Sequence, residues 1–187
     1  MNPDTATIAV PAPAFRLGRR WRQAVLVTHL VAGGGWIGID VIVAVLVLTG
    51  RYGGDVEVRG LAYRALAAFV VWPMLTAGLL SLVTGLVLGV GTRYGLLRFW
   101  WVAVKLALNV VLCTLIVLVL RPGMDEVAAY GRDLPAGTAD PATVSTLFFP
   151  PAVSLTTLAF ATVLAVVKPW GRIRPRRGIG GRRRELA

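Results

Sequence analysis

The chain contains one histidine, one cysteine and three methionines: His29, Cys113, Met1, Met74 and Met124. A lone cysteine excludes an intramolecular disulfide and a thiolate cluster. The whole set is too small for a soft-metal site within one chain, so no metal site is assigned. Acidic residues are scarce too: nine Asp and Glu stand against twenty Lys and Arg, a net charge of +11. No acidic dyad, Ser-His-Asp set, phosphate-binding glycine loop or zinc-ligand spacing occurs. A binding or assembly role is therefore expected rather than catalysis. Charge of either sign is almost missing from four long stretches, and that absence decides the class.

Those stretches are about 26 residues from Ala24 to Thr49, about 27 from Ala65 to Gly91, about 22 from Phe99 to Leu120 and about 24 from Val144 to Val167. At 1.5 Å per residue each can cross a hydrocarbon core of about 30 Å. With 56% hydrophobic residues and a mean hydropathy of +0.71, the chain is too apolar for a soluble domain. Lipid offers backbone groups no partner and no alternating barrel pattern is present, so the spans must be helices. The expected fold is all-α, a four-transmembrane-helix up-down bundle. Its transmembrane domain covers residues 22–168, between a disordered basic leader (1–21) and a disordered polybasic tail (169–187). The first span follows Arg16, Arg19, Arg20 and Arg22 like the start of a signal peptide, but its apolar part is too long for one and should be retained.

Orientation follows from the basic residues. Fourteen flank the spans on one side: four before the first span, Arg93 and Arg98 in the second loop, and eight from Lys168 to Arg184. The other side holds five (Arg51, Arg59, Arg64, Arg121 and Arg132) among six acidic residues. The positive-inside rule then puts both ends in the cytoplasm of a plasma-membrane protein. Trp21, Trp100, Trp101 and Trp170 mark the inner interface. The tail's arginines suit anionic lipid, at about 1 kcal/mol per basic residue near the surface. Without interleaved aromatics they do not indicate nucleic acid.

Small residues form two faces for close packing, Gly34 with Gly38 in the first span and Gly85 with Gly89 in the second. Packing within the bundle is the expected use, with a second copy or another membrane protein as the alternative. Trp72-Pro73 should kink the second span near its outer end. Pro150 and Pro151 sit where helix amides lack partners anyway.

Ionisable groups inside spans cost about 2.5–3.5 kcal/mol each at a helix centre and need partners. His29 lies seven residues beyond Arg22 and Lys105 seven beyond Arg98, so both sit about 10 Å in from the same side. His29, Gly33, Trp36 and Asp40 form one helical stripe, and Lys105 with Asn109 a second, with Ser81 and Thr84 at comparable depth. Asp40 lies about 16 Å further out than His29. It should pair with Arg64 rather than Lys105. Two readings of His29 stay open: a hydrogen bond to a neighbouring helix, or axial ligation of haem or another tetrapyrrole, with Lys105 contacting a propionate. Lys105 can also snorkel to the cytoplasmic interface. A polar pathway through His29, Asn109 and Lys105 would instead belong to a small transporter or channel subunit.

The stretches His29 to Gly38 (HLVAGGGWIG), Thr84 to Lys105 (TGLVLGVGTRYGLLRFWWVAVK) and Val163 to Gly171 (VLAVVKPWG) resemble a family of small four-span membrane proteins of high-GC bacteria. That resemblance implies the four-span fold and no particular activity. More distantly, the chain is similar to the four-helix protoporphyrinogen oxidase family, which carries a histidine early in one helix and a lysine in a later one. This likeness extends to His29 and Lys105 and implies haem as cofactor. The copper-resistance D-type membrane proteins share the opening of a helix by His and Gly-Trp. The chain departs from both in lacking a second histidine and a methionine-rich copper motif.

Overall fold

The computed structural model describes residues 18–91 and 100–167. Among these the chain is helical and contains no strand, and four helices are long and apolar enough to cross a bilayer. The leader as far as residue 17, the second loop at 92–99 with Arg93 and Arg98, and the tail from Lys168 lie outside the described residues.

Helix α1 (Arg19–Tyr52) runs for 34 residues, about 51 Å. No proline falls between Phe15 and Trp72, and lipid makes any break in its backbone costly, so even the run Gly33–Gly34–Gly35 stays helical. Arg19, Arg20 and Trp21, assigned above to the leader, form its first turn. Its last turn is closed twice, by the Gly53 amide donating to Thr49 O (2.8 Å) and by Arg59 Nε donating to Gly50 O (2.9 Å).

The kink expected at Trp72-Pro73 divides the second span into two helices. Helix α2 (Val56–Phe69) starts with Asp55 accepting the Glu57 amide at 2.9 Å, and the chain bends at Val70 before α3 (Val71–Gly91). Pro73 has no amide hydrogen for the Phe69 carbonyl, so the ladder opens where that bond would lie. Helix α4 (Trp100–Leu115) ends in a wider π-type turn, Ile116–Leu120, closed by the Arg121 amide on Ile116 O at 2.9 Å. Helix α5 (Met124–Asp133) follows. After a 3₁₀ turn (Pro141–Val144), α6 (Phe149–Val167) completes the set. It begins later than the expected Val144 because Pro150 and Pro151 can occupy only the first turn of a helix.

Helix α1 packs most extensively on α3 and also touches α2 and α6. A core of buried side chains runs from Trp36 through Val43 and Val47 to Tyr63, Val127 and Tyr130. Its second half is a cap that the loops were not expected to form. There α2 meets α5 at two glycines: a Cβ on Gly60 would stand 2.6 Å from Gly131 O, and one on Gly131 2.7 Å from Gly60 O. Beside them Tyr63 and Tyr130 stack edge to face, centroids 5.1 Å apart. The Tyr63 ring also fills the space that a side chain on Gly50 would need. Burial pushes the Tyr63 phenol above its ordinary range, Tyr130 adds to this, and Arg59 and Arg51 work against it.

Candidate functional site

The expected polar level exists around His29 and is held by the fit of α1 on α3. A Cβ on Gly85 would lie 3.3 Å from His29 Cε1, so the glycine lets the imidazole lie against α3. His29 Nδ1 meets Ser81 O, one turn earlier on α3, at 3.0 Å and the Oγ1 of the adjacent Thr84 at 2.9 Å. Thr84 Oγ1 donates its own hydrogen to Leu80 O at 2.6 Å. Both groups facing Nδ1 therefore accept, which requires the hydrogen to sit on Nδ1 and leaves Nε2 with a lone pair. Nε2 makes no hydrogen bond among the described residues, and the ring is partly exposed.

Lys105, on α4, lies within Coulombic reach of His29. It is half-buried and has no hydrogen-bond or ion-pair partner among the described residues. Asn109, one turn along, accepts a long contact from Cys113 Sγ at 3.6 Å and so faces α4 itself. Among the described residues no three His, Cys, Asp or Glu side chains gather for a metal ion.

Asp40 occupies a separate level and departs from its expected pairing. Arg64 is exposed on α2, whereas Asp40 is fully buried and takes its hydrogen bond from Ser154 Oγ of α6, 2.6 Å from Oδ2. The bend at Val70 swings α2 toward α5, where the Arg64 stem packs near Gly131 instead. Asp40 Oδ1 and the Nε1 of Trp36, one turn back on α1, are both buried without a hydrogen-bond partner among the described residues. Trp36 seals this level: its ring and the Cys113 sulfur close over Gly78, where a Cβ would lie 2.9 Å from each.

The glycine faces divide in the same way. Gly85 packs on His29 and Gly89 is buried. Gly34 and Gly38 do not pack within the bundle as expected: both are exposed with nothing within 4 Å of a built Cβ, because α1 turns its Trp36 face inward. Ser154 and Gly78 were not singled out from sequence. Counting depth from the inner ends puts Ser154 within about one turn of Asp40, which is the signal that could have found it; Gly78 carries none beyond its small size.

A shallow apolar groove of about 670 Å³ runs between α1 and α3, lined by residues including Val31, Gly35, Ile39, Trp72, Pro73 and Leu80. His29 does not line it. Comparison of the chain with protein-family models, with curated proteins and with solved structures finds no match.

Proposed function

We propose that this is a plasma-membrane protein with both chain ends in the cytoplasm, and that it binds a tetrapyrrole such as haem through His29. The observation that carries the reading is the anchoring of Nδ1 on Ser81 O, which orients the ring and leaves Nε2 as the unprotonated nitrogen. Metal-ligating histidines are held in this way by a carbonyl behind the ring. The donor set fits a group that takes one protein nitrogen, since the chain has a single histidine. Haem iron bound here would supply ligand-binding or redox chemistry. The chain's own part is to orient the imidazole, and Lys105 at the same level is the cation suited to a propionate.

The test is an absorbance spectrum of protein purified from its native membrane, followed by titration with haem and with zinc protoporphyrin. A Soret band that His29→Ala abolishes, with weaker binding in Lys105→Gln, is the expected outcome. A colourless protein whose affinity for added porphyrin ignores His29→Ala would refute the proposal.

A second reading, a transport subunit with a polar path through His29, Lys105 and Asn109, draws on Lys105, which has no hydrogen-bond or ion-pair partner among the described residues. The sealing of Asp40 behind Trp36 counts against a path that crosses the whole bundle. Ion or proton flux in liposomes that Lys105→Gln removes, in a protein binding no porphyrin, would favour it.

A further inference from the structure

Two polar atoms at the Asp40 level take no part in the His29 site. Trp36 Nε1, a donor only, and Asp40 Oδ1 belong to side chains of 0% exposure, and neither has a hydrogen-bond partner among the described residues. Buried side-chain polar atoms are satisfied in the large majority of cases, so two orphans on successive turns of one helix need a single explanation. The helix ends leading out of the described residues lie at or beyond the level of His29, which is seven residues from Trp36 and eleven from Asp40 along α1. The pair therefore sits well inside the described bundle.

Both side chains are pinned. The far edge of the Trp36 ring, Cη2 and Cζ3, is seated at Gly78 of α3, where a built Cβ would stand 2.9 Å from each. Nε1 belongs to the five-membered ring, nearer the Trp36 backbone, and so stays beside α1. Ser154 Oγ holds Asp40 Oδ2 at 2.6 Å, which leaves Oδ1 as the other oxygen of a fixed carboxyl group. Residues four apart share one helix face with Cβ atoms about 5–6 Å apart, and Cα–Cβ bonds tilt toward the N-terminus, which leans the carboxyl group over the indole. Held in these places the two atoms do not bond each other. A direct bond would require the ring to leave Gly78 or the carboxyl group to leave Ser154.

We propose that one water molecule is bound between Trp36 and Asp40, accepting from Nε1 and donating to Oδ1. The chemistry of the two ends selects it. A metal cation has no lone pair for the indole hydrogen, an anion is repelled by the carboxylate, and an apolar molecule answers neither end. A neutral molecule with both roles is required, and full burial of both side chains admits the smallest one, which needs only two to four polar partners. Were Asp40 to carry a proton on Oδ1, the same water would accept from both ends, so the site does not depend on the charge of the carboxyl group. The bridge makes Trp36 a binding residue as well as a packing one, and it places a hydrated carboxyl group where α1 meets α6. Nothing in this inference depends on tetrapyrrole binding.

The first test is a density map of the full chain in lipid, at a resolution that shows ordered water elsewhere in the bundle. Density about 2.7–3.2 Å from both Nε1 and Oδ1 is expected. Resolved side chains with no density between them, a direct bond from Nε1 to Oδ1, or density about 2.0–2.6 Å from Oδ1 alone, the distance of a metal ion, would each overturn the proposal. The second test is solid-state NMR of the full chain in lipid with isotope-labelled indole nitrogens, the Trp36 signal being assigned by exclusion of the other tryptophans. Magnetisation should pass from water to the Trp36 Nε1 hydrogen despite its burial, and the transfer should be lost in Asp40→Leu with Ser154→Ala, which removes the acceptor and keeps the ring. Helicity and melting temperature of that variant, expected near wild type, separate loss of the water from loss of the fold, and the wild-type measurements stand without it. No transfer in the wild type, or transfer that persists in the folded double variant, would overturn the bridge.

Discussion

Replacing Gly60 by alanine tests whether the α2–α5 contact is set by backbone or by side chains. The new methyl group would stand 2.6 Å from Gly131 O, and ordinary contact requires the two helices to part by about 0.8 Å. A carbonyl cannot rotate away as a side-chain tip can. The movement also loosens the Tyr63–Tyr130 pair, so the change belongs with overpacking substitutions that cost about 1–3 kcal/mol. Alanine returns about 1 kcal/mol through helix propensity. The expected net effect is a loss of about 1 kcal/mol, centred on the cap. Gly33→Ala has open space around its new methyl group and should gain about 0.5–1 kcal/mol from propensity alone. Thermal unfolding in nanodiscs gives the sign of each change, and hydrogen exchange of the α2 and α5 amides shows whether the loss is local. Gly131→Ala breaks the same contact from the other side, so the double variant should cost less than the sum. If Gly60→Ala stabilised the protein as much as Gly33→Ala does, the helices would not approach through their backbones and the cap would need another explanation.

Ser154→Ala removes the hydroxyl that donates to Asp40 and should cost about 1–3 kcal/mol, whereas Asp40→Leu combined with Ser154→Ala should recover most of it, read by melting temperature. Raising pH should loosen the cap: Tyr63 is harder to ionise folded than unfolded, so its contribution is intact below about pH 10 and is lost as pH climbs through the folded value. Alkaline melts of Tyr63→Phe should lack that step. Pro73→Ala restores an amide for the Phe69 carbonyl, and spin labels on α1 and α5 should report a shifted cap distance as α2 and α3 straighten.

The four spans were legible because apolar length is a sufficient signal in lipid, where the backbone has no alternative to a helix. The level shared by His29, Ser81 and Thr84 was legible for a related reason: residues per turn convert directly to depth. The cap was not. Helix α2 mixes Glu57, Arg59 and Arg64 with apolar residues, and its packing rests on Gly60, a residue that usually reads as a loop signal. Helix α5 did carry a local cue, with Asp125 and Glu126 in its first turn and Arg132 in its last, the charge order that suits a helix dipole. The partner of Asp40 was misread because opposite charge was given more weight than depth. A neutral hydroxyl on α6 reached the carboxylate once the Val70 bend had carried Arg64 away. Gly34 and Gly38 had the right signature for close packing, but which side of a helix faces its own bundle depends on where the large side chain, Trp36, is accommodated.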